Sequence, residues 1–155
     1  EIIKLPVPSA LRVVAIHPQI EVKTKDAREV LPKEIALKDA VTQWANVGGL
    51  ISGLHSSDYN LISNSLVDII VEPARKNLIP FFDKVKDSAL AAGALGAGIS
   101  GSGPTIFALC KGDESAKNVY KSIKKSYSNT GINFELFISE INQEGIKILS
   151  TQPTK

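Results

Sequence analysis

The sequence predicts an α+β fold in which an antiparallel sheet carries helices packed on one face. β-Branched, alternating segments stand near both ends of the 155-residue chain, and helical periodicity fills most of the stretch between them. A glycine-rich turn also joins two short apolar runs, 95–99 and 105–110, which is typical of an antiparallel hairpin. No repeat or linker interrupts this pattern, so residues 1–155 are predicted to form one domain.

The composition narrows the classes of function. Apolar residues make up 43% of the chain and charged residues 22%, which argues against an intrinsically disordered protein. The net charge of +2 is too small to indicate a nucleic-acid partner. The single cysteine, Cys110, excludes an intrachain disulfide, and the separated His17 and His55 argue against a zinc site. Without a signal peptide or a run of about 20 apolar residues, we expect a cytoplasmic protein with no membrane partner.

The first third of the chain is predicted to alternate between strand and helix. Asp26 is suited to begin a short helix, and Pro32 is suited to end it. Period-2 alternation before Asp26 indicates extended structure. The predicted elements are a strand at 9–17, a second short strand at 20–24, a helix at 27–31 and a long helix at 33–55.

The long helix carries an apolar stripe with spacings of four, three, four and three residues. Further apolar residues broaden the stripe, so the helix is predicted to be largely buried; they are Ala45, Val47, Leu50 and Leu54. The adjacent Gly48 and Gly49 each cost about 1 kcal/mol relative to alanine inside a helix, which suggests close packing against another element. The residues of the stripe are Leu37, Val41, Trp44, Gly48 and Ile51.

The remainder of the chain is predicted as helices enclosing a hairpin, followed by further strands. Asp58 and Asp113 are placed to begin helices, Pro73 to break one, and Pro80 to occupy a first turn. The predicted elements are helices at 59–71, 80–92 and 114–128, strands at 95–99, 105–110, 132–141 and 146–149, and a turn at 100–104.

The glycine-rich turn is the most informative local feature. Its Gly96-x-Gly98-x-x-Gly101 spacing matches the dinucleotide fingerprint, but Pro104 and a β-branched run follow where that fingerprint requires a helix. Two interpretations remain: a hairpin turn that needs positive φ angles, or a concave anion site of free amides and hydroxyls. The candidate residues for the second are Gly98, Ser100, Gly101, Ser102, Gly103 and Thr105.

Three segments resemble motifs of the GHMP kinases, and in particular of the homoserine kinase branch. Residues 98–105 (GISGSGPT) resemble the third motif of the whole family. Residues 24–32 (TKDAREVLP) resemble the branch's T-x-E-A-R-x-x-L-P segment, and residues 68–80 resemble its D-x-I-x-E-P-x-R…L-I-P segment. Together they span most of the chain in the family's order. The resemblance implies the ferredoxin-like C-terminal domain of this family.

The resemblance also implies that the chain is one lobe of a two-lobed enzyme. The N-terminal lobe of the family carries a P-x-x-x-G-L-G-S-S loop that holds the phosphates of ATP, together with residues that hold Mg²⁺, and this sequence lacks that loop. The implied partners are its own N-terminal lobe and L-homoserine, whose hydroxyl would receive the γ-phosphoryl group on the route to threonine. The chain alone is predicted inactive, with no catalytic base or metal ligand assigned. A homodimer is left open.

Two arginines are the candidate substrate ligands. Only three arginines stand among 18 basic residues, and arginine's planar fork matches a carboxylate with two parallel donors. The resemblance assigns the homoserine carboxylate to Arg28 and Arg75. The alternative for Arg75 is an ion pair with Glu72 or Asp68. We expect these two carboxylates one turn apart on a single helix face. Paired carboxylates are suited to bind a metal or to act as a base, but the favoured role for these two is orienting Arg75 or capping.

Two other functions remain open. The chain is alternatively a stand-alone small-metabolite-binding α+β module without chemistry, or the C-terminal lobe of another GHMP kinase. Three further residues have structural interpretations: Arg12 within a strand, His17 at a strand end and Cys110 in the core.

Overall fold

The computed structural model describes residues 3–146 and confirms the α+β class. Its four strands form one antiparallel sheet in the order β2–β3–β1–β4. With the helices between them, they give the βαββαβ arrangement of ferredoxin-like folds. The strands are β1 (Leu11–Pro18), β2 (Gly96–Ile99), β3 (Ile106–Lys111) and β4 (Phe134–Glu140).

Six α-helices accompany the sheet in the described part of the chain. A single 3₁₀ turn, Lys76–Leu78, follows the fourth of them. The helices are α1 (Thr24–Glu29), α2 (Leu37–Ser56), α3 (Tyr59–Ser65), α4 (Val71–Arg75), α5 (Phe82–Ala91) and α6 (Gly112–Tyr127). None of the helices in residues 3–146 has the length and hydropathy needed to cross a membrane.

The main core lies between one face of the sheet and the helices α5 and α6. Alternate residues of β3 point into it, as period-2 strand geometry requires. Tyr127 closes one end of this core, where its ring contacts Phe81 and Phe134 edge to face and its hydroxyl donates to the Pro80 carbonyl at 3.3 Å. Central core residues are Val14, Ile16, Val85, Ala89, Ile106, Ala108, Val119 and Ile123.

The opposite face of strand β2 is covered by α3 and the start of α4. A Cβ added to Gly96 would lie 2.5 Å from Cβ of Leu66, and one added to Gly98 would lie 3.3 Å from Oε2 of Glu72. The two glycines therefore let the segment between α3 and α4 approach the strand backbone closely. This layer adds to the predicted single layer of helices, and it brings residues 66–72 next to the glycine-rich turn.

Several local predictions were wrong, and the first concerns residues 20–24. No strand forms there, because β4 begins only at Phe134 and offers no partner beyond Pro18. Helix α1 instead begins at Thr24, with Lys23 at its cap position, so Asp26 lies in the first turn rather than capping. The last predicted strand, 146–149, falls almost entirely outside the described residues.

The predicted helix 59–71 is two helices. Helix α3 ends at Ser65, and α4 begins at Val71 with Pro73 inside its first turn. Proline is tolerated there because a first-turn N–H has no intrahelical acceptor. Likewise, α5 begins after Phe81, which has φ of 63°, rather than at Pro80.

Helix boundaries differ elsewhere too. Helix α2 begins at Leu37 rather than 33, and Lys111 rather than Asp113 holds the cap position of α6. Asp113 instead accepts from Nε of Arg12 at 2.6 Å, which confirms the structural role of that arginine. The predicted burial of the apolar stripe on α2 was also wrong, because the large side chains of the stripe are exposed. Gly49 does pack against Ser65, but a Cβ added to Gly48 would meet nothing within 4 Å.

The buried thiol of Cys110 gives the fold a pH dependence. Burial raises the pKa of Cys110 to about 11, and a hydrogen bond with Ser115 offsets part of the rise. Because the pKa of Cys110 is higher in the folded chain than in the unfolded chain, the buried neutral thiol contributes its full stabilisation below about pH 9. That contribution is lost as the pH rises through about 11. The free energy of unfolding is expected to fall by roughly 2–3 kcal/mol over that interval.

The measurement is urea denaturation of wild type and Cys110→Ala at a series of pH values. In a plot of unfolding free energy against pH, the variant should lose the part of the slope that Cys110 causes. It should keep the part caused by Tyr127, because burial also raises the pKa of Tyr127. Equal slopes in the two proteins would contradict the assignment.

Candidate functional site

The three motif segments meet at one guanidinium. Arg75 ends helix α4, and its Nε donates to the carbonyl of Ala27 in α1 at 2.8 Å. Its Nη1 donates to the carbonyl of Gly101, in the glycine-rich turn, at 2.9 Å. Segments separated by 26 and 48 residues in sequence are thereby joined by a single side chain.

Arg28 follows directly after the carbonyl that Arg75 holds. Ala27 is fully buried, which anchors this turn of α1, whereas Arg28 is exposed. Among residues 3–146, no group makes a hydrogen bond or ion pair with the guanidinium of Arg28, although its backbone carbonyl accepts from the N–H of Leu31 at 3.2 Å. Its fork is thus open to a ligand, and Arg75 retains three of its five N–H donors.

The alternative interpretation of Arg75, an ion pair with Glu72 or Asp68, is contradicted by the structure. Glu72 instead pairs with Lys86 of α5, and both side chains are largely buried. Asp68 precedes α4, so it does not share a helix face with Glu72. Its Oδ1 accepts from the backbone N–H groups of Ile70 and Val71 at 2.9 and 2.8 Å, which confirms capping as its role. Neither arginine of the site is neutralised by a carboxylate of the described chain.

The cap at Asp68 gives a prediction for the helix that carries Arg75. Asp68→Ala removes the acceptor for two backbone donors and is expected to cost about 1 kcal/mol of unfolding free energy. Asp68→Asn keeps an oxygen in the same place and should recover most of that loss. Urea denaturation compares the two, and an alanine variant as stable as the asparagine variant would show that the cap contributes nothing.

The glycine-rich turn is tightly closed. The N–H of Ser100 donates to the carbonyl of Thr105 at 2.8 Å, and that of Gly103 donates to the carbonyl of Ser100 at 3.0 Å. Gly101 and Gly103 have φ of 61° and 85°, as the hairpin interpretation requires. A Cβ on Gly103 would also lie 2.9 Å from Cδ1 of Ile79. The turn therefore rests on the segment just after α4.

The other candidate residues of the turn differ in exposure and in their contacts. Ser100 and Gly101 are exposed, Ser102 is half-buried and Gly98 is buried against Phe107. The hydroxyl of Thr105 lies 2.8 Å from Nδ1 of His17, at the end of β1. Sequence reasoning missed this contact, because a histidine before a proline in a strand carries no signal for a partner 88 residues away.

A cleft of about 260 Å³ lies beside the turn, between α2 and strand β2. Two amide side chains of α2 shape it: Oε1 of Gln43 accepts from the N–H of Ile69 at 3.0 Å, and Nδ2 of Asn46 donates to the carbonyl of Val67 at 2.8 Å. Gly101 lines the cleft and its carbonyl also accepts from Arg75, so the cleft and the Arg75 guanidinium are neighbours across the turn. Neither arginine lines the cleft itself.

Metal-ligating side chains do not cluster in the part of the chain that the structure describes. No group of three or more His, Cys, Asp or Glu residues in 3–146 is arranged to hold an ion. The positively charged hydrogen-bond donors in this part of the structure are the guanidinium groups of Arg75 and Arg28, and such donors suit an anion.

The sequence pattern of the family described as "GHMP kinases C terminal" matches residues 50–129, more than half of the chain. The chain belongs to the GHMP kinase family. The match includes α3, α4 and the glycine-rich turn, which hold Arg75 and its acceptor Gly101.

Relatives with this GHMP kinase domain carry one recurrent name. The chain is 46% identical to a "Homoserine kinase" of Chlorobium phaeobacteroides over 96% of its own length and 47% of the relative's. It is 38% identical to a "Homoserine kinase" of Pyrococcus abyssi over 84% of the chain and 43% of the relative. The chain thus spans about half the length of these relatives, and the family match identifies that half as the C-terminal lobe.

Solved structures agree with the fold. A crystal structure of homoserine kinase from Cytophaga hutchinsonii superposes with a TM-score of 0.91 at 53% identity, over 94% of this chain and 46% of that one. A Streptococcus pneumoniae phosphomevalonate kinase superposes with a TM-score of 0.56 at 18% identity, over 87% of this chain and 42% of that one. The second likeness shows only that the fold is shared.

Proposed function

We propose that this GHMP kinase domain is the substrate-side lobe of a homoserine kinase. The enzyme would transfer the γ-phosphoryl group of ATP to the hydroxyl of L-homoserine, as a step toward threonine. The N-terminal lobe would hold the nucleotide and Mg²⁺. The names of the relatives support this proposal, and the site gives it a physical basis.

The observation that carries the proposal is the pair of arginines without an acidic partner. The guanidinium of Arg75 donates only to neutral carbonyls, and that of Arg28 has no hydrogen bond or ion pair with a described group. Two positive charges, one on Arg75 and one on the residue that follows its acceptor Ala27, are offset by no carboxylate of the described chain and favour an anionic ligand. Homoserine supplies a carboxylate, and hydrogen bonds to charged groups contribute about 1.5–3 kcal/mol each.

Catalysis in this proposal is mainly positioning and charge neutralisation. Arg28 and Arg75 would bind the carboxylate, which fixes the distance from that end of the substrate to its hydroxyl. The turn formed by Ser100, Gly101, Ser102, Gly103 and Thr105 would close the site beside the phosphates held by the other lobe. Because Arg75 also donates to the carbonyl of Gly101, binding of the carboxylate by Arg75 would be coupled to the position of the glycine-rich turn.

The test is a substrate panel for the two-lobed enzyme, with ATP and homoserine, mevalonate or galactose. Homoserine should be phosphorylated in preference to the others. Preference for mevalonate or galactose would instead assign the lobe to another GHMP kinase. Homoserine binding without nucleotide, and with no phosphorylation, would favour a metabolite-binding module.

A further expected result concerns the lobe alone. The 155 residues without the N-terminal lobe should show no ATP-dependent phosphorylation of homoserine, because the phosphate-holding loop is absent from the sequence. Adding the N-terminal lobe as a separate chain provides the matched control. Turnover by the 155 residues alone would contradict the proposal that the N-terminal lobe is needed to hold the nucleotide.

A further inference from the structure

His17 links the strand β1 to the glycine-rich turn through its side chain. Val14 and Ile16 are buried in the core, so the alternation of the strand places His17 on the opposite face of the sheet. His17 is half-buried there, and its Nδ1 lies 2.8 Å from the hydroxyl of Thr105. A hydroxyl both donates and accepts, so this hydrogen bond forms with either neutral tautomer of the ring.

The hydrogen bond begins where the backbone pairing of β1 and β3 ends. The last paired residues of the two strands are Ile16 and Ile106. His17 and Thr105 are the next positions in the same register. The carbonyl of Thr105 also accepts from the N–H of Ser100 at 2.8 Å, which makes Thr105 one side of the turn. The bond from His17 is thus a cross-strand side-chain pair that holds the base of the turn against β1.

The turn is thereby held from two directions. Arg75, at the end of α4, donates to the carbonyl of Gly101 at 2.9 Å. His17, near the end of β1, holds Thr105 on the side of the turn that leads into β3. The turn is therefore fixed between the helix that carries the candidate substrate ligand and the sheet.

We propose that His17 is a positioning residue that fixes the hydroxyl of Thr105 and, through it, the glycine-rich turn during phosphoryl transfer. This inference rests on the function proposed above, in which the turn closes the site beside the phosphates. Catalysis of that kind depends on placement, and a displacement of about 1 Å in a group remote from the chemistry can cost up to about 100-fold in rate. His17 acts through Thr105 and is assigned no contact with substrate or nucleotide.

A role that depends on charge is less well supported for His17. The register of β1 and β4 places Glu135 opposite His17, but the carboxylate is exposed. Among the ion pairs of residues 3–146, none joins these two side chains. The hydrogen bond of the ring is made to a neutral hydroxyl. A neutral residue that offers the same hydrogen bond should therefore replace His17.

Steady-state kinetics of variants at position 17 in the two-lobed enzyme test the proposal. His17→Leu removes the hydrogen bond and is expected to lower kcat for homoserine phosphorylation by about 3- to 10-fold. The KM for homoserine should change by no more than about twofold, because Arg75 keeps its bond to Ala27 and the guanidinium of Arg28 makes none to the turn. His55→Leu, at the exposed end of α2, is the matched control and should leave kcat unchanged.

His17→Asn separates the hydrogen bond from the filling of space. Asparagine has nearly the shape of leucine but carries a donor and an acceptor on its side chain. It should therefore restore most of the kcat that His17→Leu loses. A His17→Leu variant with the kcat of wild type, or a His17→Asn variant no more active than His17→Leu, would overturn the proposal.

A double-mutant cycle tests whether His17 acts through Thr105. Thr105→Val removes the hydroxyl and keeps the shape of the side chain, whereas Thr105→Ser keeps the hydroxyl and should retain the higher kcat. In the Thr105→Val background, His17→Leu should lower kcat no further, because the hydrogen bond is already absent. Losses that multiply in the double variant would show that the two residues act independently and would overturn the proposal.

The same measurements distinguish this proposal from the proposed function. Homoserine phosphorylation by the wild type tests the function, whereas the ratios of variant kcat to wild-type kcat test His17. If the wild type phosphorylates mevalonate or galactose instead, the proposed function is contradicted, and the cycle measured with that substrate decides the role of His17 by the same criterion. A wild type that phosphorylates none of the three substrates would overturn both.

Discussion

Arg28→Ala in the two-lobed enzyme is expected to lower kcat/KM for homoserine by about 10- to 100-fold, which corresponds to 1.5–3 kcal/mol for a hydrogen bond to a charged group. The KM for ATP should stay nearly unchanged. Stability should also be nearly unaffected, because Arg28 is exposed and its guanidinium makes no hydrogen bond or ion pair with another described residue. Steady-state kinetics with each substrate varied in turn make the measurement.

Arg75→Ala is expected to affect both homoserine use and stability. It removes two hydrogen bonds, to the carbonyls of Ala27 and Gly101, in addition to any contact with the substrate. Arg75→Lys keeps the charge but loses the fork and should rescue only part of the activity. Arg12→Ala is the control for a structural arginine, since Arg12 bonds Asp113 far from the turn. Loss of ATP affinity with unchanged homoserine KM would contradict the assignment of either residue.

Gly96→Ala is expected to give the largest loss of stability, about 1–3 kcal/mol, as found when methyl groups are forced into packed interiors. The new Cβ would lie 2.5 Å from Cβ of Leu66 and 2.9 Å from its Cδ1. Because Cβ of Leu66 is attached directly to the backbone, relief requires the segment after α3 to move away from β2. Denaturation with urea measures the loss.

Gly48→Ala is the matched control for that substitution. Gly48 lies inside α2 at a negative φ, and a Cβ there would meet nothing within 4 Å. Alanine should therefore stabilise the protein by about 0.5–1 kcal/mol through its better helix propensity. If both variants changed stability alike, close packing of α3 on β2 would not be the reason for glycine at position 96.

The sequence indicated which residues gather at the site better than it indicated their contacts. Arg75 was predicted from a motif, but its acceptors are backbone carbonyls of Ala27 and Gly101, which have no sequence signature. The alternative for Arg75 was an ion pair with Glu72, three residues away, but Glu72 pairs with Lys86 of another helix. Local spacing describes neighbours along one helix, and α4 is too short for that rule to govern its side chains.

The apolar stripe on α2 shows a second limit. Periodicity correctly predicted a long helix with an apolar face. It does not show which residues, if any, pack against that face. Residues 20–24 show the same limit for strands, because alternation predicts extended structure without supplying a neighbour to bond with. The glycine-rich hairpin was predicted well, since its turn depends on residues close in sequence.

The central claim, that Arg28 and Arg75 recognise a carboxylate, is tested most directly by a substrate lacking that group. The measurement compares kcat/KM for homoserine with that for 3-aminopropan-1-ol, which has the same amine and hydroxyl but no carboxylate, in wild type and in Arg28→Ala. The wild type should prefer homoserine by roughly 100-fold or more, and the variant should lose about tenfold or more of that preference. An unchanged preference in Arg28→Ala would show that this arginine does not bind the carboxylate and would contradict the proposed site.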